Sequence, residues 1–586
     1  MEFIKKLCYI FTGKQRWQFA GLFVLQLFET CLDFFGVSLI LPFVNVLVSS
    51  EGMHGTWWFK LISTITGAST VNGVLLFIIF LMMAVYIIKN LFVFLMLNLR
   101  IKFINTSKGK MGTRMMNCYM HKPYTFHLQR NTSEILRNIS GDVNGAFSVI
   151  GTIFSLIADI LIVVALAVYL FAVDFVLTMG ILIAMAICSA VYFLVVRKKI
   201  RTTGEETRKV TSKMYKAIAQ AMGSIKEVKI MGREPFFTHV YKEAGIESVE
   251  LGRKYALISA IPARLMETLC ICTILGIMAL KIMTGGDLRE VLPSLSAFAV
   301  AAIRLMPKAN GINGCINSIT FNMPSLDALY EDLTESDREE AECLKEIEEK
   351  KKQQKKVADD QQQDIFVRNV TFTYPKKNVP VLENVSLTVK HGESVGIVGA
   401  TGAGKTTLVD LILGLLKPEA GTICYGEMDI HEDYGRWQKH IGYIPQTIYM
   451  IDDTIRNNIA LGVDATKIDE AAVWRALENA QLADFVRSLD EGLDTVIGER
   501  GVRISGGQRQ RIGIARALYY DPEILFFDEA TSSLDNATEA AVMESINSLG
   551  SQKTMIIVAH RLTTLKGCDR IYCVEGATVT ETELEL

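Results

Sequence analysis

The 586-residue sequence has almost no net charge: 61 Lys and Arg against 63 Asp and Glu leave −2. That balance gives no basic stripe to hold a nucleic-acid backbone, so no nucleic-acid partner is expected. Paired cysteine spacings are missing too. The 11 cysteines are scattered, many of them in apolar runs, and Cys270-x-Cys272 sits inside a hydrophobic stretch. They read as buried thiols, not zinc ligands. The N-terminus shows no signal-peptide pattern. MEFIKKLCYIFTGKQRW is short, amphipathic and basic, as expected of a helix lying on the inner membrane surface. Long apolar runs are absent beyond about residue 330, although 50% of the chain is hydrophobic. The apolar residues are therefore concentrated in a membrane half, followed by a soluble α/β half.

A run of about 20 apolar residues spans a bilayer as a helix. Six candidates lie near 18–49, 72–97, 146–172, 175–196, 256–283 and 291–322. The segments 98–145 and 197–254 between them are rich in Lys and Arg, and the other connections are short and nearly free of both. The positive-inside rule places the two basic segments and both termini in the cytoplasm. Both segments keep helical periodicity, so they should project as helices that turn at NTSE (131–134) and MGREPFF (231–237). Trp57 and Trp58 beside Lys60 suit a short helix in the headgroup layer. A charged, aromatic-poor linker covers 334–363, and the soluble domain starts near Asp364.

SVGIVGATGAGKTTLVDLILGLL carries the most specific chemistry. An apolar strand runs into Gly399-x-x-x-x-Gly404-Lys405-Thr406 and then a helix, the context a P-loop requires. Backbone N–H groups of Gly399, Thr401, Gly402, Ala403 and Gly404 would close around phosphate oxygens, with the helix N-terminus and Thr407 behind them. Lys405 would reach the β- and γ-phosphates of ATP, and Thr406 would ligate Mg²⁺. Downstream, ILFFDE is a buried strand ending in two carboxylates. Asp528 fits the Mg²⁺ shell, and Glu529 is placed as general base for the attacking water. Between them, RISGGQRQR offers a hydroxyl and backbone donors from Ser505, Gly506, Gly507 and Gln508.

At RISGGQRQR the chain resembles the ABC transporter family, with Ile504 where Leu is usual. Further motifs match in order. Tyr374 resembles the aromatic that stacks on adenine, and Gln446 the glutamine that links Mg²⁺ and water to the membrane domain. GERG (498–501) resembles the exporter segment that touches the cytoplasmic loops, SSLD (532–535) the D-loop, and His560 the histidine at the γ-phosphate. The resemblance implies an α-helical six-helix transmembrane domain (1–333), the linker (334–363) and a P-loop α/β ABC nucleotide-binding domain (364–586). It also implies a dimer, most simply a homodimer, in which Ser505 serves the nucleotide on the other subunit's P-loop.

Cargo has to be read from the membrane half. Its charges are Glu29, Asp33, Lys89, Asp159, Arg264, Glu267, Arg304 and Lys308. Arg264 can pair with Glu267 on its own helix, and Asp33 or Asp159 could neutralise Lys89. Arg304 and Lys308 lack an acid within a turn. The alternative to internal pairing is a cationic cavity of Lys89, Arg264, Arg304 and Lys308 that accepts an anionic group. Four segments, including IPARLMETL and IRLMPKANGI, resemble the bacterial ABC flippases of lipid-linked oligosaccharides. That resemblance implies a polyprenyl-pyrophosphate glycan as cargo and residence in the bacterial cytoplasmic membrane. An exporter of drugs, other lipids or peptides shares the fold, and a merely membrane-anchored P-loop ATPase would not need six spans.

Overall fold

The computed structural model describes residues 2–11, 13–38, 71–173, 175–283, 288–351, 363–529, 540, 544, 553–558, 565 and 567–583. The expected headgroup helix at Trp57 and Trp58, the SSLD segment, His560 and residues 352–362 of the linker lie outside them. Two compact units separate by their internal contacts. One comprises Met1–Lys122 with Arg130–Glu340, the other Pro123–Gln129 with Ala341–Leu586.

The first unit is helical: α1 (Glu2–Ile10), α2 (Gly13–Ser38), α3 (Val71–Met120), α5 (Thr132–Arg137), α6 (Val143–Val173), α7 (Phe175–Gly223), α8 (Ile225–Met231), α9 (Glu234–Met283) and α10 (Leu288–Lys351) up to Glu340. The short α4 (Tyr124–Gln129) belongs to the second unit. Among the described residues, four stretches are long and apolar enough to cross a bilayer: Ile79–Met120, Thr132–Val168, Thr178–Gly223 and Glu234–Thr273. The first expected span starts in α2 and runs on into residues outside the described set, and the last lies on α10. A 50-residue helix such as α3 or α9 is roughly 75 Å long. It therefore continues far beyond a hydrocarbon core of about 30 Å.

The first extension does not turn at 131–134 alone. It bends at His121–Pro123, forms α4, and bends again before Asn131, which precedes α5. The second turns where expected, because Gly232 takes the left-handed conformation (φ 62°) that caps α8. Beside these turns, a π turn over Asn138–Asp142 leads into α6. It buries Asp142, whose carboxylate accepts two bonds from Arg208 on α7 at 2.7 and 2.8 Å. Asn138 in turn donates to Asp332 of α10 at 2.9 Å. Helices α7 and α10 meet backbone to backbone: a Cβ on Gly204 would fall 2.1 Å from the Phe321 carbonyl oxygen.

The second unit holds two sheets. A four-stranded antiparallel sheet has the order β2-β1-β4-β5, from β1 (Ile365–Phe372), β2 (Leu382–Val389), β4 (Ala420–Tyr425) and β5 (Met428–Asp429). A six-stranded sheet runs β10-β9-β3-β8-β7-β6, from β3 (Ser394–Val398), β6 (Ile441–Ile444), β7 (Ile524–Asp528), β8 (Thr554–Val558), β9 (Arg570–Glu575) and β10 (Thr578–Thr582). Neighbours from β9 to β6 are parallel. SVGIV, ILFFD and TMIIV are continuous apolar runs because their strands are covered on both faces. Parallel strands share one carboxyl edge, so the segments after β3, β6 and β7 emerge side by side.

Candidate active site and membrane charges

The P-loop leaves β3 through three glycines that no other residue replaces without strain. Gly399, Gly402 and Gly404 have φ of 150°, 84° and 109°, and a Cβ on Gly399 would lie 2.4 Å from the Val574 carbonyl oxygen. Helix α11 (Lys405–Ile412) starts at once. Lys405 is 7% exposed, and its ammonium donates to the carbonyls of Gly399 (2.9 Å) and Ala400 (3.1 Å). Thr406 is exposed beside it, and Thr407 is buried. Thr407 exchanges a 3.1 Å hydrogen bond with the Tyr374 hydroxyl, so a second anchor fixes the ring expected to stack on adenine.

Asp528 ends β7 opposite Val558 of β8, and Val558 also faces Ile397 of β3. Asp528 thus lies two strands from the root of the P-loop. Glu529 follows in a left-handed conformation (φ 51°), unusual for a residue with a side chain, and its N–H bonds the Val558 carbonyl at 2.9 Å. Gln446, two residues past β6, donates its amide to the Glu529 carboxylate at 2.6 Å. Tyr443 of the same strand donates to Asp528 at 3.4 Å, a loose contact.

The electrostatics favour a cation here. Burial, then Glu529, raises Asp528 above the usual carboxylate range. Burial, then Asp528, pushes Asp410 on α11 up to about 6. Among the described residues no three His, Cys, Asp or Glu side chains converge to hold a metal alone. Asp410 and Tyr443 escape a motif-based reading, although they lie three residues from Thr407 and from Gln446 respectively.

Ser505 caps α13 (Gly506–Leu518) in a reciprocal capping box. The Gln508 N–H donates to its hydroxyl at 3.2 Å, and its own N–H donates to the Gln508 side chain at 2.8 Å. Ser505 and Gly506 are exposed and Gly507 is half-buried, whereas Ile504 packs into the helical core under α12 (Glu470–Asn479) and α13. Ile for Leu is a volume-conserving change there. Tyr124 of α4 faces this unit too: burial, Asp410 and Tyr374 together raise its phenol. The sequence motifs gave no sign of it.

The membrane charges do not lie as one open set. Lys308 on α10 has its acid on another helix: its ammonium is 2.9 Å from Asp159 of α6, whose side chain is 15% exposed. The expectation that Lys308 lacks a counter-charge holds only along its own helix. Gly311 makes the pairing possible, since a Cβ there would lie 2.2 Å from the Asp159 carboxylate. Helix α10 stays unbroken across Pro307. Arg264 meets Glu267 at 3.3 Å and remains 85% exposed. Lys89 lies 5.3 Å above the Tyr86 ring. The Arg304 side chain lies outside the described set.

Two family models match the chain: "ABC transporter transmembrane region" over 19–288 and "ABC transporter" over 382–532. An ATP-dependent lipid A-core flippase of Ralstonia nicotianae is 29% identical over 551 residues, 92% of this chain and 88% of that protein. The flippase of the same name from Escherichia coli K12 is 29% identical over 480 residues, 80% of this chain and 79% of its own. A solved bacterial Atm1-family ABC exporter with ATP bound superimposes with a TM-score of 0.76 at 21% identity, over 97% of this chain and 94% of that one.

Proposed function

The chain belongs to the ABC transporter family as an exporter-type half-transporter, and on that premise we propose that it flips a polyprenyl-pyrophosphate-linked oligosaccharide across the bacterial cytoplasmic membrane. It is membrane-embedded and couples ATP hydrolysis to transport. In the proposed unit two copies form a homodimer with six membrane helices each and cytoplasmic nucleotide-binding domains. Ser505, exposed on its helix terminus, completes the site of the partner copy.

Within that site each residue has a separable task. Tyr374 offers its ring to the base while Thr407 holds its hydroxyl. Lys405 exchanges two P-loop carbonyls for phosphate oxygens. Thr406, Asp528 and Gln446 would hold Mg²⁺, which when bound neutralises phosphate charge. Glu529 accepts the proton of the attacking water, and Gln446, already hydrogen-bonded to it, fixes its orientation. His560 would contact the γ-phosphate.

One observation carries the cargo assignment. Three helices of the membrane-helix unit hold cations inside apolar sequence, at Lys89, Arg264 and Lys308, and Arg264 keeps its guanidinium 85% exposed beside a single acid. Such a side chain binds two phosphate oxygens at once. The named activity of the relatives, flipping lipid A-core, favours a second reading in which the cargo is a glycolipid of that type. ATPase activity in proteoliposomes separates the two. Stimulation by a polyprenyl-pyrophosphate oligosaccharide and not by lipid A-core is expected. The reverse pattern supports the second reading, and stimulation by neither overturns both.

A further inference from the structure

Helices α2 and α3 run antiparallel and leave a groove of about 440 Å³ between them. It lies where α3 passes from its apolar run into the basic stretch that opens at Arg100. One end is apolar: Leu22 and Leu25 of α2 face Leu99 and Phe103 of α3. The other end is polar, closed by a 3.2 Å hydrogen bond from the Gln15 amide to the Ser107 hydroxyl. Lys102, Thr106 and Lys110 line the wall at successive four-residue steps, a single stripe along α3. Among the described residues no carboxylate lines the groove.

This stripe differs from its surroundings. Nearby cations have acids from α10: Arg114 pairs with Asp337, Lys122 with Glu335, and Lys6 with Asp327. Neither Lys102 nor Lys110 has a carboxylate partner among the described residues. Two like charges on one helix face, with a hydroxyl between them, favour an anion. Trp17, next to the groove on α2, is 82% exposed, as an aromatic at the headgroup level would be.

We propose that this groove binds an anionic glycerophospholipid of the surrounding leaflet. Its phosphate sits between Lys102 and Lys110 against the Thr106 hydroxyl, and one acyl chain follows Leu22, Leu25 and Leu99. A zwitterionic lipid brings its own cation to the same stripe and is disfavoured. Inorganic phosphate fills only the polar end.

The full-length protein, stripped of lipid in detergent, provides the test. Phosphatidylglycerol, phosphatidylcholine and inorganic phosphate are titrated separately, and bound lipid is counted by native mass spectrometry alongside the thermal midpoint. Phosphatidylglycerol should bind and raise the midpoint, and the other two should not. The double variant Lys102→Gln with Lys110→Gln should bind it about thirtyfold more weakly, the scale expected for two cations near an anionic headgroup. Lys102→Arg with Lys110→Arg should retain binding. Gly21→Trp fills the groove where an added Cβ meets nothing within 4 Å, so it should abolish binding with both lysines intact. Equal binding of phosphatidylcholine, undiminished binding in both the double variant and Gly21→Trp, or a full effect from phosphate alone would overturn the proposal. So would efficient disulfide formation between copies carrying Gly21→Cys, because a second chain would then cover the groove.

Discussion

Charges in the nucleotide-binding unit converge, whereas the three cations described on apolar stretches of the membrane-helix unit are dispersed, each beside its own neighbour. Lys405, Gln446 and the adjacent pair Asp528 and Glu529 come from three separate motifs, yet they meet because their strands share one carboxyl edge. Lys89, Arg264 and Lys308 come from three helices, and each rests on its own neighbour: Tyr86, Glu267 and Asp159. A parallel sheet gathers its loop residues by construction. A helix bundle gathers side chains only where two helices happen to present facing notches, as Gly311 does for Asp159.

The sharpest break in this comparison comes from Glu529→Gln. It keeps the contact to Gln446 and removes the proposed base, so ATP turnover should fall by about 10²–10⁴. Nucleotide binding, measured by equilibrium titration, should persist through Lys405 and Thr406. Near-normal turnover would remove Glu529 from its role.

The next largest effect should come from the other unit. Lys308→Ala leaves the half-buried Asp159 without its cation, and Asp159→Ala leaves the 39%-exposed Lys308 without its acid. Each should cost about 1–2 kcal/mol in thermal or denaturant unfolding, between the scales of exposed and buried pairs, with the double variant less damaged than either single one. Gly311→Val should mimic the loss of the pair by displacing the Asp159 carboxylate. Arg264→Ala, at an exposed pair, should leave the unfolding midpoint nearly unchanged while cutting substrate-stimulated ATPase. If Lys308→Ala is as stable as Arg264→Ala, the two cations do not differ in the way the geometry says.

A smaller effect separates ring from hydroxyl at Tyr374. Tyr374→Phe loses only the bond to Thr407, about 1 kcal/mol of local stability, and should bind ATP nearly as well as the parent. Tyr374→Ala should bind it several-fold more weakly by fluorescent-nucleotide titration. Equal affinities would place the base elsewhere.

The smallest effect is a pH dependence of the nucleotide-binding unit. Burial pushes Glu393 up, but its hydrogen bonds to Arg570 prevail and hold it below its ordinary value near 4.5. A depressed carboxylate stabilises the fold above its unfolded pKa and loses that contribution as pH falls through the folded one. The stability gap between parent and Glu393→Gln should be full at pH 7 and should close as pH falls below about 4.5. A gap that does not change with pH would mean that the ion pair contributes nothing.

Much of the ATP site was legible because its motifs are local. Gly399-x-x-x-x-Gly404-Lys405-Thr406 encodes its own backbone path, and ILFFDE encodes a doubly covered strand with carboxylates at its end. Tyr443 and Asp410 stayed hidden since a tyrosine in a strand and an aspartate in a helix carry no pattern until the sheet edge brings Asp528 beside them. The first extension's turn was misplaced for a related reason. Asn131 and its polar neighbours read as the tip, but α4 ahead of them packs with the nucleotide-binding unit, and no periodicity in YTFHLQ announces that.

The sequence by itself determined the strand–loop–helix of the P-loop, the Ser-Gly-Gly turn that opens a helix at Ser505 and the existence of long helices that outrun a membrane. These follow from residues within one or two turns of each other, where backbone sterics and hydrophobic period suffice. Only the tertiary structure decided which charges face which. Lys308 finds its acid 149 residues away, on a helix whose rotation is set by packing and in a notch open only because residue 311 has no side chain. An ion pair of that kind has no local signature, since its energy depends on a distance that the chain fixes only after the helices have met.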